Sequence, residues 1–114
     1  INTLKAMVIC PEMGRPLLSN KFGGLSGTAV KPVGVRAVYD LRTVLDIPIV
    51  GVGGIEDWRD AAEYIMAGAS AFQVGSGIGT VGTDVFERIN EGLAGFMEEY
   101  GYRSIADMTG VAHD

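Results

Sequence analysis

The sequence has little of the chemistry from which most metal and redox sites are built. Its single cysteine, Cys10, excludes an internal disulfide, and with a single histidine, His113, it lacks the ligands of a structural zinc site. No apolar run approaches the ~20 residues of a membrane span, and we recognise no signal peptide. We therefore expect a protein of the reducing cytoplasm, with no metal site and no membrane partner.

Positive charge is also scarce. Lys and Arg number 9 against 14 Asp and Glu, which gives a formal net charge of -5. Nucleic acid is a poor partner for such a chain, because phosphate backbones require clustered Lys and Arg. Any phosphate group that binds here must be held locally by backbone dipoles and not by a basic patch.

Glycine, by contrast, is abundant and clustered. The clusters are GGLSG at Gly23–Gly27, GVGG at Gly51–Gly54 and GSGIG at Gly75–Gly79, and the last two each close an apolar run. A residue without Cβ lets the backbone approach a ligand closely and accepts positive φ. Bare N–H groups at the start of a following helix form an anion site. The pattern predicts a phosphate-bearing cofactor held by consecutive βα loops.

The order of elements indicates an α/β fold. Two short apolar runs, Ile47–Val52 and Ala69–Val74, are typical of strands buried on both faces. The intervening crossover forces parallel pairing, and ligands in such sheets bind at the carboxyl ends of the strands. The other predicted elements are a hairpin within Cys10–Asn20, a helix opening at Pro32, a helix capped by Asp57 and stopped by Gly68, a long helix over Phe86–Tyr100 and a final turn around Ser104–Met108.

The spacing of these units is that of an α/β barrel, which typically needs about 250 residues. With 114 residues, we expect the chain to be the C-terminal portion of one TIM (β/α)8 barrel domain, with residues 1–114 forming its last βα units. The remainder of the same barrel is then expected to cover the exposed sheet edge.

The third glycine cluster and the dipeptide Asn2–Thr3 each have more than one interpretation. Gly77, Gly79 and Gly82 match the dinucleotide spacing G-x-G-x-x-G, although that fold needs a further strand with an acidic residue. The glycines would also suit tight helix–strand packing with no ligand. Asn2 and Thr3 suit a ligand with carbonyl, amide or carboxylate groups, or equally a local turn or cap.

No catalytic residue is assigned in this chain. Cys10 lies between Ile9 and Pro11 with no histidine nearby in sequence, which favours an inert buried thiol over a nucleophile. His113 lies next to the last residue, where a mobile surface side chain is the default expectation. We find no paired general acid and base, so the chemistry is expected to lie outside these residues.

Five segments together carry a resemblance to a known family. INTLKAM, FGGLSGTAVKP, IPIVGVGGI, AGASAFQVGSG and GYRSIADMTGVAH resemble, in this order and spacing, the C-terminal part of class 1 dihydroorotate dehydrogenases. These are FMN-dependent α/β barrels of pyrimidine biosynthesis. NTLKAM and GGLSG are most similar to the class 1B branch, whereas SIADMTG is similar to class 1A tails. The resemblance covers nearly the whole chain.

The resemblance implies a role for particular residues. It implies that Ile1 touches FMN, that Asn2 and Thr3 hydrogen-bond orotate or dihydroorotate, and that Gly27 approaches the cofactor. The FMN phosphate would be bound by Gly53, Gly54, Gly75 and Ser76. Ser76 stands where many relatives have Thr, which preserves the hydroxyl. Thr28 stands where many class 1B members have Pro, which implies a less rigid loop.

The resemblance also implies an activity and partners. In the family, a cysteine base removes a proton from C5 of dihydroorotate while hydride passes from C6 to the flavin. That cysteine and a lysine beside the flavin lie earlier in the barrel. A homodimer is implied, and in class 1B also an FAD and iron-sulfur subunit that passes electrons to NAD. The alternatives are another FMN- or phosphate-binding barrel enzyme and a non-catalytic partial-barrel interaction module.

Overall fold

The computed structural model describes the whole chain, Ile1–Asp114. The strands are β1 (Leu4–Ala6), β2 (Ile9–Cys10), β3 (Arg15–Pro16), β4 (Gly23–Leu25), β5 (Val50–Val52) and β6 (Ala71–Gln73). The helices are α1 (Lys31–Arg42), α2 (Trp58–Ala67), α3 (Ser76–Val81), α4 (Val85–Tyr100) and α5 (Ile105–Met108), with turns of 3₁₀ helix at Thr28–Val30 and Val111–His113.

The second half of the chain is built around one parallel pair of strands. Strands β5 and β6 pair with Val50 opposite Ala71 and Val52 opposite Gln73, and α2 forms the crossover between them. This β5–α2–β6 unit confirms the prediction of an α/β fold with parallel strands joined by a helix. Helix α2 packs between α1 and α4.

The first 25 residues contain two antiparallel strand pairs, which lie outside the part of the chain predicted to pair in parallel. Strands β2 and β3 form the expected hairpin, while β1 pairs with β4. Gly23–Leu25, predicted to be loop, is therefore a strand. Glycine has a low strand propensity, but pairing with Leu4–Ala6 overrides that preference, which is weak compared with tertiary context.

The two parallel strands are shorter and less enclosed than predicted. Each has three residues, and Val50 is half exposed whereas Gly51 is buried against Tyr64 of α2. The face of β5 that carries Val50 is therefore open in this chain, whereas Gly51 on the opposite face lies against α2. The prediction of strands buried on both faces is therefore wrong for the chain described here.

The helix boundaries follow the local signals in the sequence. Asp57 caps α2 by accepting hydrogen bonds from the backbone N–H groups of Arg59, at 2.7 Å, and Asp60, at 3.1 Å. Gly68 ends the same helix with φ 125°. Pro32 lies in the first turn of α1, as predicted. No helix is both long enough and apolar enough to cross a bilayer.

The core lies between α2, α4 and the C-terminal segment. Its fully buried large side chains are Ile55, Tyr64, Ile65, Val85, Ile89 and Met108. His113, expected to be mobile, instead stacks on Tyr39 with ring centroids 3.9 Å apart, and its Nε2 lies 2.8 Å from the Ala67 carbonyl oxygen. Cys10 is half-buried, and its thiol donates to Glu12 at 3.2 Å.

Candidate functional site

Three glycine-bearing segments meet beside the carboxyl end of β5. A methyl group added at Gly54 would lie 2.5 Å from the Gly27 carbonyl oxygen, so the segment before α1 and the loop after β5 are in direct contact. A methyl group added at Gly27 would lie 4.0 Å from Oγ of Ser76, the first residue of α3. The structure thus brings residues from all three predicted glycine clusters together.

Backbone geometry favours glycine at three of these positions. The φ angles are 84° at Gly27, 130° at Gly53 and 70° at Gly54, all in the positive range that other residues rarely adopt. At Gly54 the adjacent Gly27 carbonyl also leaves no room for a Cβ. Both the conformation and the close contact therefore select glycine where the two loops touch.

The backbone N–H groups of Gly53, Gly54, Gly75 and Ser76 donate to no acceptor in the structure. We refer to these four N–H groups as the amide cluster. Gly54 is buried, and buried N–H groups without a partner are rare in folded proteins. Unpaired donors on touching loops have the chemistry of an anion site.

The N-terminal residues lie against this region in part. A methyl group at Gly53 would lie 3.8 Å from the Ile1 side chain, and the Ile1 nitrogen donates to the Val52 carbonyl oxygen at 2.9 Å. The Thr3 side chain covers Gly24 in β4. Asn2 is exposed and its side chain makes no hydrogen bond, and its contact with a ligand stays a prediction.

The dinucleotide alternative finds no support in the third glycine cluster. Gly77 and Gly79 lie within α3 and Gly82 ends it, and the chain continues into helices instead of a further strand. A methyl group at Gly77 would lie 2.5 Å from the Ile55 carbonyl oxygen. Gly77 therefore serves tight packing, which was the other alternative for these glycines.

Lys31 lies beside the touching loops, where a methyl group at Gly54 would be 3.0 Å from its Cβ, but two carboxylates engage its ammonium group. Its Nζ donates to Asp60 and to Glu63, each at 2.7 Å. The hydrogen bond that Lys31 donates to Asp60, followed by the one that it donates to Glu63, raises the pKa of Lys31 above its ordinary value. The ammonium group is thus a structural link between α1 and α2, and the adjacent site depends on amides.

Asp60 and Tyr64, which the sequence analysis did not single out as site residues, hold the loop after β5. Asp60 accepts from the N–H groups of Glu56, at 2.9 Å, and Asp57, at 3.1 Å. Burial alone would raise the pKa of Asp60, but Lys31 and these N–H groups outweigh it and lower the pKa. The Tyr64 hydroxyl donates to the Gly53 carbonyl oxygen at 2.8 Å.

Sequence offered only a weak signal for these two residues. Asp60 falls three positions after Asp57, which is the spacing of a capping box. The hydrogen bond that it accepts from Lys31 joins residues 29 positions apart, and no local pattern indicates it. Tyr64 falls in the apolar stripe of α2, where a core role is the ordinary interpretation.

A family model described as dihydroorotate dehydrogenase matches residues 1–97, which include all three glycine segments. The chain belongs to the dihydroorotate dehydrogenase family. It is 52% identical over 112 residues to the protein of Pyrococcus furiosus named dihydroorotate dehydrogenase B (NAD(+)), catalytic subunit. It is 53% identical over 115 residues to the protein of the same name from Methanosarcina mazei.

These dihydroorotate dehydrogenase alignments cover the chain but only part of each relative. They include 98% of the chain and 37% of the Pyrococcus protein, and 100% of the chain and 36% of the Methanosarcina protein. The chain therefore spans little more than a third of the length of these curated relatives. Its resemblance to the class 1B branch agrees with their printed names.

Proposed function

We propose that this chain supplies the FMN phosphate site and part of the orotate site of an FMN-dependent dihydroorotate dehydrogenase of pyrimidine biosynthesis. In this proposal, residues 1–114 are the C-terminal portion of a (β/α)8 barrel that the remainder of the protein completes. The observation that carries it is the amide cluster of Gly53, Gly54, Gly75 and Ser76. Family membership supplies the identity of the ligand.

The residues present fit a phosphate monoester. Four amide donors on touching loops lack acceptors, and the space beside Gly75 is open, because a methyl group there would meet nothing within 4 Å. The Ser76 hydroxyl adds a fifth donor. FMN, when bound, supplies the acceptor for the hydride that leaves dihydroorotate. The role of this chain is to bind the phosphate, with Ile1 and Gly27 beside the cofactor.

Substrate recognition is assigned to Asn2 and Thr3. The amide of Asn2 offers donors and an acceptor, and the hydroxyl of Thr3 offers one of each, which suits the carbonyl, N–H and carboxylate groups of orotate. Neither side chain is held by an internal hydrogen bond. The base that removes the substrate proton and the lysine beside the flavin are assigned to the part of the protein before Ile1.

The proposed partners are based on the names of the relatives. Because they are called catalytic subunits of an enzyme that uses NAD(+), we propose a homodimer that pairs with an FAD and iron-sulfur electron-transfer subunit. The proposed location is the cytoplasm.

Replacing Asn2 by alanine in the complete enzyme tests the substrate site. Losing hydrogen bonds between Asn2 and orotate is expected to weaken orotate binding about tenfold, as measured by titration of the flavin absorbance. Asn90→Ala is the matched control, because Asn90 is exposed on α4, and it should bind orotate normally. Unchanged affinity in Asn2→Ala would contradict the assignment, and a purified complete protein that binds no flavin would contradict the proposed function itself.

A further inference from the structure

The Tyr64 hydroxyl has a role in the loop after β5 that packing alone does not explain. Tyr64 is fully buried, and its hydroxyl is the only donor to the Gly53 carbonyl oxygen, at 2.8 Å. Burial raises the pKa of the Tyr64 phenol, so it remains protonated and able to donate. A phenylalanine would fill the same space but would leave the carbonyl without this partner.

Two glycines on neighbouring elements admit this ring. A methyl group at Gly34 of α1 would collide with the Tyr64 hydroxyl, and one at Gly51 of β5 would lie 2.6 Å from the ring. Neither glycine has positive φ. Glycine is therefore needed at these positions because there is no room for a side chain, and not because of the backbone conformation. The phenol is thereby fixed between α1 and β5 with its oxygen at Gly53.

Fixing the Gly53 carbonyl also orients the next N–H group. A trans peptide unit is planar, so the C=O of Gly53 and the N–H of Gly54 point in opposite directions. The peptide bonds of the chain are all trans. With the carbonyl directed at Tyr64 inside the protein, the Gly54 N–H is directed away from Tyr64.

We propose that Tyr64 is a positioning residue, whose hydroxyl holds the Gly53–Gly54 peptide so that the Gly54 N–H faces the phosphate of FMN. This inference rests on the proposed function. Asp60 holds the far end of the same loop through the N–H groups of Glu56 and Asp57, so the segment is fixed on both sides of Gly54. Tyr64 itself does not touch the cofactor.

The test compares two flavins that differ only in the phosphate. The complete protein is stripped of flavin, and the dissociation constants of FMN and riboflavin are measured by flavin fluorescence for the unaltered protein, Tyr64→Phe and Tyr102→Phe. Tyr102 is the matched control, because it packs against the core and its hydroxyl makes no hydrogen bond to the loop. Thermal unfolding without flavin reports the folding of each variant.

Tyr64→Phe is expected to weaken FMN binding about three- to tenfold, as the loss of one hydrogen bond implies, and to leave riboflavin binding unchanged. Tyr102→Phe should change neither. Equal weakening of both flavins would reveal a merely structural role and overturn the inference, as would an unchanged preference for FMN. An unaltered protein with no preference for FMN over riboflavin would instead refute the proposed function, and the inference with it.

A second measurement applies if Tyr64→Phe does not fold. In the unaltered complete protein labelled with ¹⁵N-glycine, the amide resonance of Gly54 should shift when FMN binds but not when riboflavin binds. A Gly54 resonance that responds equally to both flavins, or to neither, would overturn the inference.

Discussion

Replacing Gly54 by alanine tests whether the contact between the loops matters. The new methyl group would lie 2.5 Å from the Gly27 carbonyl oxygen and 3.1 Å from its carbonyl carbon, both of which are backbone atoms. At φ 70°, alanine also incurs the cost of a left-handed conformation, about 1–2 kcal/mol. The loop must therefore shift, and the Gly54 N–H must move with it.

The size of the effect follows from the amide that is displaced. A hydrogen bond to a charged group contributes about 1.5–3 kcal/mol, so FMN affinity should fall at least about tenfold. Without flavin, the free energy of unfolding should fall by at least about 1 kcal/mol from the backbone strain alone. The assays are fluorescence titration with FMN and urea unfolding of the complete protein.

Gly95→Ala provides the control for Gly54→Ala. Gly95 lies inside α4, has no positive φ, and a methyl group there would meet nothing within 4 Å. Alanine is expected to stabilise this exposed helical position by about 0.5–1 kcal/mol and to leave FMN affinity unchanged. If Gly54→Ala bound FMN as tightly as Gly95→Ala, the assignment of the Gly54 amide to the phosphate would be refuted.

Two further predictions concern stability. Because Lys31 and backbone N–H groups hold the pKa of Asp60 below its unfolded value of 3.8, its contribution to stability is present above that pH and is lost as the pH falls through the folded pKa. Asp60→Asn should therefore be less stable at neutral pH and lose less stability on acidification in pH-dependent urea unfolding; an unchanged profile would contradict this. Gly92→Ala should destabilise the protein, because the methyl group would lie 2.6 Å from the Cβ of Trp58 at the contact of α2 with α4. Its unfolding midpoint should fall below that of Gly95→Ala. Equal midpoints for the two variants would contradict this prediction.

Local signals explain which parts of the fold were predictable. The cap at Asp57, the stop at Gly68 and the apolar stripe of α4 depend on residues within a few positions of one another, and each lies where the sequence indicates. The same holds for Ser104, whose side chain accepts from the N–H of Asp107 at the start of α5. Helix ends can be predicted from the sequence because the hydrogen bonds that cap them join residues only a few positions apart.

Strand pairing was less predictable because the partner lies far away in sequence. Gly23–Leu25 pairs with Leu4–Ala6 across the intervening hairpin, and no residue within the GGLSG segment signals that partner. The exposure of Val50 was not predicted for a related reason. An apolar run reports that a strand is suited to burial on both faces, but not which element covers it.

The glycines of the candidate site could be predicted from the sequence, but the side chain that orients their peptide groups could not. The sequence marks Gly27, Gly53 and Gly54 because special backbone conformations need glycine. The bond from the Tyr64 hydroxyl to Gly53 spans 11 positions and crosses from helix to loop. Only the fold reveals that a side chain of the apolar stripe also positions the loop.

The charges around the site decide how, in the proposed function, a chain with a net charge of -5 would hold a dianionic phosphate. Lys31 is adjacent but engaged by Asp60 and Glu63, so this trio of side chains carries one net negative charge. Its ammonium group cannot turn to an incoming anion without leaving two carboxylates unpaired. Attraction must therefore come from N–H dipoles, which have no counter-charge to give up, and their strength depends on orientation. In the proposed function, this dependence gives a role in phosphate binding to the hydrogen bonds by which Tyr64 and Asp60 hold the two ends of the loop after β5.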